Sequence, residues 1–178
     1  MKNLKKGFTL VELVVVIAII GVLAAVLIPS MLTYIQKSRL KTANANAKTA
    51  YNAAAEYVAE ATIEGKGLVA ALEDFTQSNS IPGLDCRVRP SAEADLRIYE
   101  ALSSNGKEAG TVWILGAGAG TGVPDVIVNG RATFAVQWAQ TDINSELWGQ
   151  YPNPISWYDY KNHIKGSSYH AGWYREVW

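Results

Sequence analysis

The chain has 178 residues, room for one ordinary domain plus an appended segment but not for two full cores. Its 16 Lys and Arg balance 16 Asp and Glu, which argues against a general nucleic-acid binder with its usual basic excess. The single cysteine, Cys86, excludes an intrachain disulfide and a Cys-based zinc site.

The neutral total hides an uneven distribution. Lys2, Lys5 and Lys6 crowd the start, and Lys37, Arg39, Lys41 and Lys48 form a second basic cluster, with no acidic residue between Glu12 and Glu56. Between these clusters lies an apolar run from Phe8 to Ile28, interrupted by Glu12. As a helix at ~1.5 Å per residue it reaches roughly 30 Å, one hydrocarbon thickness. Two ordinary readings exist for it. A secretory signal has a basic start and an apolar core, but that core is usually shorter, and Ala24-Ala25 offers a site for a cut. A plain membrane anchor would keep the lysines cytoplasmic, yet it leaves Glu12 to snorkel or to be protonated.

A third reading accounts for Glu12. The stretch KKGFTLVELVVVIAIIG resembles the amino terminus of type IV pilins and of the related pseudopilins of type II secretion. The resemblance is dense over about forty residues and fades after about residue 60. It implies a leader at 1–7, a cut between Gly7 and Phe8 by a prepilin peptidase, methylation of the new Phe8 amine, and an assembly role for Glu12. It also implies further partners: other copies of the chain, other pilins, and an assembly ATPase with a membrane platform. Membrane lipid would surround the apolar helix before assembly. The precursor would sit in the cytoplasmic membrane, leader inside and head outside, and the assembled pilus would be extracellular. Physics supports a role for Glu12, because a charge in a low-dielectric helix bundle is tolerated only with a well-placed partner. The freed amine of a neighbouring copy is one such partner, and the chain's own Phe8 amine is another. On this reading Glu12→Ala is inserted and cut but does not enter a filament.

Gly21 and Pro29 fall where the family places helix breakers. Pro29 lacks an amide hydrogen and crowds the carbonyl of Ala25, so the helix is expected to bend there, and Gly21–Pro29 could unwind. The resemblance suggests that such unwinding lends some filaments extensibility. Beyond Pro29 the pattern is helical again. Leu32, Ile35, Ala43, Ala47, Ala50, Ala54, Tyr57 and Ala61 form an apolar stripe of mostly small side chains, and Gly65 and Gly67 supply a stop. The expected element is one long helix from about Phe8 to Glu64. It comprises a transmembrane and polymerisation part at 8–29 and an amphipathic part at 30–64. The basic cluster on it would meet lipid headgroups, acidic groups of a neighbour, or only solvent.

Residues 65–178 read as a globular head. The stretch 67–75 predicts a short helix, SIPGLDC a turn-rich connection, and 92–103 a helix capped by Ser91. The segments 111–116, 123–128 and 131–138 are rich in β-branched and aromatic residues, and Asn129-Gly130 between the last two signals a hairpin. The fold class is therefore α+β and type IV pilin-like: the long helix laid on a small antiparallel sheet of three or four strands. The tail carries Trp148, Trp157, Trp173 and Trp178 among tyrosines, either as an exposed platform for glycans or another subunit or as packing that fastens the tail.

Catalytic chemistry is absent from the reading. GAGAGTG at 116–122 breaks both phosphate-loop patterns. His163 and His170 lack a third ligand, and DINSE at 142–146 lacks the turn glycine and distal glutamate of a calcium loop. Cys86 reads as a buried small residue. No cofactor, metal, sequence-specific nucleic acid or enzymatic activity is expected. The function expected is that of a structural pilus subunit serving adhesion, motility or surface interaction. A pseudopilin, a DNA-uptake pilin and a membrane-anchored binding protein or enzyme that does not polymerise stand as alternatives. The missing disulfide leans toward a Gram-positive pilin or a pseudopilin.

Overall fold

The structure, a computed structural model, describes residues 7–75, 83–116, 126–128, 131–141, 145 and 147–164. The leader before Gly7, the Gly-rich stretch after Gly116, the Asn129-Gly130 dipeptide, most of DINSE, His170, Trp173 and Trp178 lie outside the described residues. The chain divides into two compact units, Met1–Ser38 and Arg39–Trp178.

Helix α1 spans Leu10–Ile63, within two residues of the expected bounds, and runs on through Pro29. Ser30 Oγ donates to the Leu27 carbonyl (2.8 Å) and Thr33 Oγ1 to the Pro29 carbonyl (3.2 Å), so hydroxyls bond the helix backbone around the proline. In the first unit the large apolar side chains of the helix are exposed; Leu32 and Ile35, expected on the buried stripe, are among them. The buried face begins at Leu40 and continues through Ala43, Ala47, Ala50, Ala54, Val58 and Ala61. Val58, rather than half-buried Tyr57, holds the penultimate place.

The remaining elements are α2 (Leu68–Glu73), β1 (Leu84–Asp85), α3 (Glu93–Ser103), a 3-10 turn (Gly106–Ala109), β2 (Thr111–Gly116), β3 (Val126–Val128), β4 (Arg131–Ala139), β5 (Trp148–Tyr151) and α4 (Trp157–Asp159). The five strands pair antiparallel: β1 with β2, β2 with β4, and β4 with both β3 and β5. Val128 opposes Arg131, so the expected hairpin pairing is present. β1 and β5 add to the three strands legible in the sequence; each is short and poor in β-branched residues. Ser91 is not the cap of α3. The helix starts one residue later than that role requires, with extended Ala92 before it and the Leu96 amide donating to the Ala92 carbonyl at 2.9 Å. Glu93 and Asp95 in its first turn suit the helix dipole.

Strand alternation sorts the sheet into two apolar layers. Val112, Ile114, Phe134, Val136 and Trp138 pack with the alanine stripe of α1 and with Ile98 and Leu102 of α3. On the other face, Trp113, Leu115, Ala135 and Ala139 join Trp148, Tyr160 and Leu40. Small side chains allow close approach. A Cβ on Gly149 of β5 would collide with the backbone of Ala43 and Asn44, so only glycine fits where β5 meets α1.

Candidate assembly site at the amino terminus

Gly7, Phe8 and Thr9 are non-helical, and the helix begins at Leu10. Three hydrogen bonds fix this start. The Thr9 amide donates to Glu12 Oε2 (2.8 Å), the Thr9 hydroxyl donates to the same oxygen (2.9 Å), and the Glu12 amide donates to Thr9 Oγ1 (3.2 Å). The Leu13 amide reaches the Thr9 carbonyl at 3.3 Å, the first rung of the helix. This is a capping box, in which the first residue before the helix and the third within it satisfy each other's donors. Thr9, the capping partner of Glu12, was not singled out from the sequence, although its signal was present: Thr-x-x-Glu directly ahead of an apolar run.

The box gives Glu12 a local partner that needs no proteolysis. The carboxylate is placed at the first turn, where the partial positive charge of a helix start favours an anion. It is not removed from water by its own chain, and neither are the surrounding side chains. Phe8 is 86% exposed, and from Leu10 to Leu32 the large apolar residues remain exposed. By length and composition this part of α1 can cross a membrane. Gly21 lies within it with no atom within 4 Å of an added Cβ, so it is not demanded by packing inside one chain. Pro29 occupies a helical position, as described above.

The aromatic candidates of the tail separate. Trp148 is buried, its ring centroid 5.2 Å from that of Trp113, and its indole N–H donates to the Ser145 carbonyl. Trp157 is half-buried beside Tyr160 (5.7 Å), whereas Tyr158 is 70% exposed. A second residue missed in the sequence, Asn44, fastens this region. Its Oδ1 accepts from the amides of Gln150 and Ile155 (3.1 Å each), and its Nδ2 donates to the Ile155 carbonyl (2.9 Å). One side-chain amide thereby pairs with the backbone as a strand neighbour would. No short-range pattern announces it, because the partners lie more than a hundred residues away. Gln137 and Gln150 are directly opposed on β4 and β5; Gln137 Nε2 donates to Gln150 Oε1 (3.0 Å), and Gln150 Nε2 donates to the Asn153 carbonyl (3.1 Å).

An exposed apolar helix that runs on into an amphipathic half laid on an antiparallel sheet defines an α+β, pilin-like fold. Residues 2–28 match the family described as the prokaryotic N-terminal methylation motif. The chain is 44% identical over 82 residues to the type IV major alpha-pilin of Moraxella bovis, covering 44% of this chain and 47% of that one. It is 38% identical over 86 residues to the type IV major fimbrial protein FimA of Dichelobacter nodosus, covering 47% and 51%. It is 42% identical over 55 residues to the type IV major pilin protein PilA of Myxococcus xanthus (strain DK1622), covering 31% and 25%. The chain thus spans about half the length of these relatives, or less. No solved structure matches it. The similarity is to the N-terminal methylation motif over residues 2–28 and to type IV major pilins over no more than about half of this chain.

Proposed function

We propose that this protein is a structural subunit of a type IV pilus. It is made as a membrane precursor, cut after Gly7 by a prepilin peptidase, methylated on Phe8, and polymerised through its apolar helix into an extracellular filament. An assembly ATPase and a membrane platform drive the process, and other pilins join the fibre. In the precursor, 1–7 is the leader, 8–29 crosses the membrane, and 30–64 and 65–178 form the outer portion. The observation that carries this reading is the exposed apolar face of α1 with a single carboxylate, Glu12, at its first turn. Such a face needs lipid before assembly and neighbouring helices after it. Glu12 then reports register, since a misaligned copy leaves the charge without the amine of its neighbour.

Mass spectrometry of the protein taken from its host tests the reading. The expected mass is that of a chain starting at Phe8 and carrying one added methyl group, from material that electron microscopy shows as filaments. A native chain that retains Met1–Gly7 ends the proposal.

A further inference from the structure

We infer that Thr9 sets where α1 begins and so keeps the Gly7–Phe8 bond out of the helix, which makes Thr9 a positioning residue for the leader cut. The inference rests on the reading of this chain as a processed pilin precursor. Hydrolysis of that bond breaks the link between the Gly7 carbonyl carbon and the Phe8 nitrogen. Water adds its hydroxyl to Gly7 as a new carboxyl group and its proton to Phe8 as an amine. The attack requires a Gly7 carbonyl that is not already held as a helix acceptor.

The geometry meets this requirement by a narrow margin. The first helical rung is the Leu13 amide on the Thr9 carbonyl, only two residues beyond the scissile carbonyl. Backward growth by two residues would engage the Gly7 carbonyl with the Val11 amide, four residues on, and rotate the bond into the helix. Phe8 is no barrier to such growth, since no proline precedes the helix and Phe tolerates helical backbone. Gly7 resists it only weakly. The barrier is the box itself: Thr9 is committed in a capping conformation by its hydroxyl, which accepts from the Glu12 amide and donates to the Glu12 carboxylate. All three bonds of the box lie on the carboxy-terminal side of the cut. The same device therefore holds the helix start before and after leader removal.

The test is the initial rate of leader removal from full-length precursor in membrane vesicles containing a prepilin peptidase. Thr9→Ser and Thr9→Asn keep a capping acceptor, whereas Thr9→Ala and the near-isosteric Thr9→Val lack one. The capping variants are expected to be cut at close to the parental rate and the two others about fivefold more slowly, the population change that a typical N-cap corresponds to. Thr9→Val at the parental rate overturns the inference. Equal slowing of all four variants also overturns it, because that pattern means recognition of the threonine side chain and not of the cap. A parental precursor that is never cut instead removes the reading on which the inference rests. The head is unaffected by these changes, because every buried apolar residue of the described chain lies at Leu40 or beyond.

Discussion

Glu12 carries two separable duties at the residue scale. As an acceptor it closes the box with Thr9, and under the proposed function its charge pairs with a cation on another copy. Glutamine preserves the first duty, because its side-chain oxygen can accept the Thr9 amide, and abolishes the second. Glu12→Gln is therefore expected to be cut at the normal rate and to accumulate in the membrane without entering filaments. The check is an immunoblot for leader removal beside electron microscopy of the cell surface. Normal filaments from this variant would show that the acceptor alone suffices and that no charge pairing is involved. Glu12→Ala, by contrast, removes capping and charge together and does not separate the two duties.

At the scale of elements, what holds β5 and the following loop is one helix side chain. Replacing Asn44 by Leu strips partners from the amides of Gln150 and Ile155 and from the Ile155 carbonyl, in a part-buried place. The expected cost is about 2–3 kcal/mol, read as a lower denaturation midpoint, because unsatisfied backbone groups cost more than a lost contact. A midpoint unchanged by Asn44→Leu would show that water replaces the amide freely. A second tie joins α2 to α1: Asp74 accepts from Lys66 (2.6 Å) and from the Tyr57 hydroxyl (2.7 Å). The Lys66 ammonium, and then the Tyr57 hydroxyl, hold the Asp74 carboxyl below the ordinary carboxylate range. A depressed pKa stabilises the fold above the ordinary Asp value of about 3.9 and loses that contribution as pH falls below it. Thermal melts at stepped pH are expected to show a small acid loss below that value, absent in Asp74→Asn. These ties explain which elements were legible in sequence. The long helix, β2 and β4 announce themselves through local period, whereas the box went unread although Thr-x-x-Glu carries its signal. β5 reads Trp-Gly-Gln-Tyr, which has no strand period of its own. Its glycine is dictated by the α1 backbone and its pairing by register with β4 and by Asn44. Ser91 shows the converse, a good capping residue placed one position too early for the helix that forms.

At the scale of the whole molecule, the two units solve different problems. The first carries apolar surface that its own chain leaves uncovered, and the second contains the buried core. A chain beginning at Arg39 keeps Leu40, the alanine stripe and both faces of the sheet while shedding the exposed apolar run. It is expected to be monomeric without detergent, with helix and strand signals in circular dichroism and a cooperative melt. Cys86 supplies an internal check on that fragment. Burial, with smaller contributions from Asp85 and Asp95, pushes its thiol up to about 12. Near neutral pH it is therefore an inaccessible thiol and not a thiolate, and alkylation should await unfolding. If the fragment aggregates, or if Cys86 is alkylated at once, then the amino-terminal unit contributes to the stability of the head as well as to assembly. If it stays monomeric with Cys86 protected, the apolar run is free to leave the lipid for a bundle of neighbouring helices without disturbing the core. Under the proposed function the subunit needs this independence, because moving from membrane to filament would change the surroundings of its first helix completely while its head must stay the same.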